Sequence, residues 1–122
     1  MSVWGTGAFE NDEAAAWCDE LDDHADPGDF AVRTLRTGDT PGRVVAAASW
    51  LAAGVPGVAE PVDGPSTPPI TPDAETADAA VEALGAVLTD EPWFGQWADP
   101  AERAAARAYV RSVIETWETT IG

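Results

Sequence analysis

Four side chains near the amino end, Cys18, Glu20, Asp23 and His24, come nearest to a reactive centre by type and spacing. Glu20 and His24 stand four residues apart, so on a helix they share a face and would hold a metal ion together, with Asp23 beside them. Metal centres in helical bundles, however, draw carboxylates from several helices and repeat a Glu-x-x-His pair. This chain has one histidine and no such pair. Cys18 and His24 are six apart, on distant faces of one helix, which does not make a nucleophile and its base. His24 then reads as a residue at a helix carboxyl end, favouring the dipole there. Arg103, Arg107 and Arg111 recur at four-residue spacing and form a ridge. That ridge would either bind an anionic ligand or offset the repulsion among Asp19, Asp22 and Asp23 on the first helix. The adjacent carboxylates Asp12-Glu13, Asp22-Asp23 and Asp90-Glu91 point in different directions on a helix and single out no acid–base pair. No catalytic residue, metal or cofactor follows from these patterns. A small-ligand or metal-dependent enzyme using Glu20, Asp23, His24 and the arginine ridge stands as the alternative to a non-enzymatic protein.

The elements that would carry these residues are helices. Asp26-Pro27, Thr40-Pro41, Thr71-Pro72 and Asp99-Pro100 each set a capping side chain before a proline, which is tolerated at the first helical position. With a further start at Asn11 or Asp12, the chain predicts an all-α, compact, irregular bundle of about five helices, forming one domain over residues 1–122. The first runs from about Asp12 to His24, with Ala14, Trp17, Cys18 and Leu21 on one apolar face. The second covers Pro27 to Arg36 and presents Phe30, Ala31 and Leu35. The third runs from Pro41 to Ala53, with Val44, Ala47, Ala48 and Leu51 inward and Trp50 half buried. Residues 55–70, with five prolines, predict a surface loop, a connector in preference to a partner-binding arm. The fourth helix spans Pro72 to Leu88. Pro92 begins one turn, after which Trp93, Phe94 and Trp97 either close the end of the bundle or offer a platform for a ligand or partner. The last helix, from Pro100 to Thr119, buries Ala106, Val110, Val113, Ile114 and Trp117.

Ahead of these helices lies Trp4-Gly5-Thr6-Gly7-Ala8-Phe9-Glu10-Asn11-Asp12. Gly5 and Gly7 let the chain turn sharply between two large rings, and Asn11 or Asp12 caps the helix that follows. A glycine pair beside a helix start would cradle phosphate, but the flank is acidic and no lysine follows, so a structural turn with buried aromatics is preferred. Trp4 and Phe9 are expected to fold back over the face that contains Trp17. The segment, continued by Ala14, Trp17, Glu20 and Leu21, is similar to the N-terminal signature of a bacterial family catalogued as domain of unknown function 4259. The resemblance covers residues 4–21. That family carries an acidic residue just before the aromatic at position 17, where this chain has Ala16, so no role for a carboxylate there transfers. The resemblance implies a small bacterial protein and supplies no activity.

Composition limits the function further. Twenty-two acids face six arginines and no lysine, for a net charge of −16, and the first 32 residues hold nine acids and no base. Such a surface repels the phosphates of nucleic acid and anionic lipid, which argues against both as partners. The acidity reflects either genome or salt adaptation, or attraction to a basic protein partner. Leu, Ile, Val and Phe total only 22 residues, a proportion seen in disordered chains, but six tryptophans supply large apolar surfaces for a core. The single cysteine, on the apolar face of the first helix, fits a reducing compartment, and no export signal or membrane-spanning stretch is read. A cytoplasmic protein acting by protein–protein interaction is the expectation, one candidate role being an immunity-type inhibitor of a basic partner. Asp19, Asp22, Asp23, Trp93, Phe94 and Trp97 are its candidate surface.

Overall fold

The computed structural model describes residues 12–37, 40–55, 65, 67, 68 and 70–121, with side chains to residue 119. Trp4, Gly5, Gly7, Phe9 and Asn11, and with them the expected aromatic cover, lie outside the described residues. Six helices follow in order: α1 (Asp12–Asp22), α2 (Pro27–Arg36), α3 (Pro41–Ala52), α4 (Ala74–Leu88), α5 (Glu91–Phe94) and α6 (Pro100–Ile121). Among the described residues there is no strand. The all-α bundle expected from the sequence is the observed architecture, with the single turn at Pro92 counted as α5.

The middle helix, α3, organises the packing. It touches α1, α2, α4 and α6. From Val44 to Ala52 every residue is buried. A helix that is apolar all round has no solvent face to offer, so its place is the centre. Ala46, Ala47 and Ala48 keep it thin enough for neighbours to approach from all directions. Trp50, expected half buried, is only 2% exposed.

Helix starts follow the capping chemistry in part. Asp26 accepts from the Asp29 N–H at 3.1 Å, and Asp99 from the Ala101 N–H at 2.8 Å. Thr40 makes no side-chain cap bond. Instead Glu13 reaches across from α1 and accepts from the Gly42 N–H at 2.8 Å, placing its carboxylate at the positive end of α3. The Thr71-Pro72 start is displaced: Asp73 is the cap of α4, accepting from the Thr76 N–H at 2.8 Å and its hydroxyl at 2.7 Å. The backbone bond from Thr76, then the hydroxyl bond, hold the Asp73 carboxyl below its usual range. That cap is intact near neutrality and is lost as pH falls through the lowered value.

The far end of the proline-rich segment is a strap rather than a free connector. Thr67 donates its N–H and hydroxyl to Asp22 at 2.9 and 2.6 Å, and its carbonyl accepts from the Trp50 indole at 3.0 Å. Ile70 continues this strap across Gly28 of α2 and against Gly54 beyond α3.

Candidate functional site

Two aromatic assemblies account for much of the core. In the first, Trp17 is 0% exposed, stacks on Phe30 at 5.8 Å and meets Trp50 edge-on at 6.3 Å. Its indole donates to the Thr34 hydroxyl at 3.0 Å, which in turn donates to the Phe30 carbonyl. In the second, Trp93 sits T-shaped to both Phe94 and Trp97, each at 5.0 Å. These three rings are 7%, 0% and 3% exposed, so they close the bundle and present no aromatic platform to a partner. Their short helix is set by Asp90, which accepts from the Trp93 N–H at 3.0 Å.

The arginine ridge serves this corner. Arg107 lies 4.2 Å above the Phe94 ring, donates to the Leu88 carbonyl at the end of α4 and pairs with Glu91 at 2.7 Å. Arg103 donates to the Trp97 carbonyl at 3.1 Å. The guanidiniums therefore satisfy carbonyls at the α4–α5–α6 junction, a role that Arg geometry suits. The expected position beside Asp19, Asp22 and Asp23 is corrected: α6 packs mainly on α4, with α3 and α5 as its other principal neighbours. Arg111 alone of the three stays exposed.

The metal or catalytic grouping is not assembled. Glu20 forms a two-pronged pair with Arg43, the longer contact 3.2 Å. His24 accepts the Asp26 N–H on Nδ1 at 3.1 Å, and its Nε2 lies 3.1 Å from the Arg33 guanidinium, where a metal cation would be repelled. Its ring stacks on Phe30 at 5.0 Å. No group of three or more His, Cys, Asp or Glu able to hold a metal ion forms among the described residues. Cys18 is 8% exposed. Burial, then the charges of Asp22 and Asp19, push its thiol from 9.0 up to about 12. Reaction of native protein with iodoacetamide at pH 8 is therefore expected to be slow and to become fast only on unfolding; equal rates in both states contradict the buried thiol. The same shift makes Cys18 a liability in alkali. The unfolded thiol ionises first, so its contribution to stability is lost as pH rises from 9.0 towards about 12.

What remains at the surface is charge. Asp12, Asp19, Glu20, Asp22 and Asp23 are exposed along α1, and Glu75, Asp78 and Glu82 along α4. Ala16, where a carboxylate was expected from the family pattern, is exposed too. Beside the acids of α4 lies a feature the sequence reading missed, an open groove of about 630 Å³ between α4 and the α2–α3 corner. Leu35, Val44 and Val87 floor it, Ala79, Ala83 and Ala86 form one wall, and Arg36, Glu82 and Asp90 stand at its edge. The signal was an alanine row on α4, at 79, 83 and 86.

Comparison with known proteins adds a family. The model described as Domain of unknown function (DUF4259) matches residues 2–108. The chain belongs to that family. The match runs from the N-terminal signature segment through α5 and into α6, so this family is the bundle itself. No curated protein and no solved structure matches the chain. No helix among the described residues of this family member is long and apolar enough to cross a membrane.

Proposed function

We propose that this protein is a bacterial, cytoplasmic, non-enzymatic module that binds a basic protein partner through its acidic surface, in the manner of an immunity-type inhibitor. The observation carrying this reading is the disposition of charge. Five of the six arginines are committed: Arg33 to Asp29, Arg36 to Glu75, Arg43 to Glu20, Arg107 to Glu91 and Arg103 to a carbonyl. Against 22 acids, that leaves a large surplus of solvent-facing carboxylates. A partner of opposite sign would be drawn to such a field and would relieve its self-repulsion. The reactive side chains, by contrast, are held by structural bonds, with Glu20 on Arg43 and His24 accepting from the Asp26 N–H.

Affinity capture from native lysate of the source cell, at low and at moderate salt, tests this. A basic protein should be recovered at low salt and in lower yield at moderate salt. Neutralising Asp19 and Asp23 together (Asp19→Asn, Asp23→Asn) should slow its association about two- to tenfold with little change in melting. Recovery of no basic partner under either condition counts against the reading.

A further inference from the structure

The groove beside α4 has a shape and an edge that specify more than acidity. Its α4 wall is built from positions 79, 82, 83, 86 and 87, one continuous face with helical spacing, and Asp90, the cap of α5, stands beyond its end. From Ala79 to Val87 that face is about 12 Å long at 1.5 Å per residue, a little over two helical turns. The floor is apolar along this length, and its side chains approach from both walls. Volume alone would also suit a small molecule. Against that, no set of polar donors converges inside the groove; its polar groups stand at the rim.

The rim carries an order. Arg36 lies toward the amino end of α4 and is turned to Glu75 at 3.7 Å. Glu82 stands midway, and none of the described ion pairs involves it. Asp90 stands at the far end, one carboxylate oxygen capping α5. Glu82 on α4 and Asp90 beyond its end set two negative groups at the edge of the groove.

We propose that this groove seats an amphipathic, cationic helix of the protein partner. Its apolar side chains at i, i+3/i+4 and i+7 enter between α4 and the α2–α3 corner. Lys or Arg residues on its polar side face Glu82 and Asp90. This rests on the reading of the protein as a binder of basic partners, and adds where the partner docks and which pattern is recognised. Helix-in-groove docking supplies apolar burial that an acidic surface alone lacks, while the rim charges set the register.

The test is titration of the full chain with an amphipathic Leu/Lys helical peptide of about 15 residues, followed by amide chemical shifts. A Leu/Glu counterpart serves as control. Shifts are expected at Ala79, Glu82, Ala83, Ala86 and Val87 with the lysine peptide and not with the glutamate one. Ala86→Phe and Ala83→Leu, which fill the groove from an exposed and a half-exposed position, should each weaken binding about tenfold. Glu82→Arg should weaken it about threefold or more, and by a larger factor than the Asp19→Asn, Asp23→Asn pair does. Circular dichroism checks that each variant is folded. Shifts confined to α1, with both groove-filling variants binding normally, overturn the groove while leaving the acidic-surface reading in place. Absence of binding by the lysine peptide overturns the groove, and loss of both the groove and a captured basic partner removes both readings. Concentration-dependent self-association abolished by Ala86→Phe overturns it in favour of a second copy of this chain.

Discussion

Trp17→Ala is expected to cost about 3–5 kcal/mol of folding free energy, the range for emptying a large aromatic site in a core. Domains of ordinary stability hold about 5–15 kcal/mol in total, so this one change removes a large part of it and lowers the melting temperature by about 10–20 °C. The site explains the size. Trp17 is fully buried, fills the space between Phe30 and Trp50, and supplies the indole proton to Thr34. Trp17→Phe keeps a ring but leaves the Thr34 hydroxyl without that donor, and should fall between wild type and alanine. Trp117→Phe is the useful contrast. The Trp117 indole N–H is buried without a protein acceptor, so removing it sheds an unpaired donor and offsets part of the lost packing. Denaturant unfolding should rank the losses Trp17→Ala, Trp17→Phe, Trp117→Phe, largest first. A Trp17→Ala protein within about 1 kcal/mol of wild type would refute the aromatic core as described.

Gly54→Ala is the second large effect, and its cause is steric rather than conformational. A Cβ at Gly54 would overlap the carbonyl oxygen of Ile70 and lie 2.5 Å from its carbonyl carbon, both main-chain atoms that cannot rotate away. The strap must lift, and with it the Thr67 carbonyl that accepts from Trp50. Overpacking at about 1–3 kcal/mol, plus an unpaired indole donor at about 1–3 kcal/mol, gives an expected loss of about 2–6 kcal/mol. Hydrogen exchange should report it locally, through faster exchange of the Thr67 amide that now donates to Asp22. Gly85→Ala provides the opposite sign. An added Cβ there meets nothing within 4 Å, and the position is inside α4, so the change should stabilise by about 0.5–1 kcal/mol. If both glycines respond alike, the close approach at Gly54 is not what fixes the strap.

The helices were legible because their signals are local. The Pro27–Arg36 bounds of α2 follow from Asp26-Pro27 and the run of periodic apolar residues, and both ends agree with the structure. Thr71-Pro72 misled because Asp73, two residues after Thr71, makes two bonds to Thr76 that outcompete it. The centrality of α3 was hidden by alanine, which fits a buried or an exposed face equally well. Only contact with four other helices decides that Ala46 and Ala52 are interior. The same limit applies to the surface. Acidity on α1 could be read residue by residue, but the position of α6 depends on which helices pair, so the arginine ridge was set against the wrong neighbour. A groove is a gap between elements distant in sequence, and no local spacing announces it.

The central position of α3 also governs how the chain can be divided. Its covering comes both from segments that precede it and from segments that follow it. Severing the polypeptide anywhere between α3 and α4 would therefore strand that helix with one flank bare, in a fragment unable to bury its own alanines and Trp50. The two pieces would be competent only together, which makes the molecule an all-or-none unit despite its thin, alanine-rich middle.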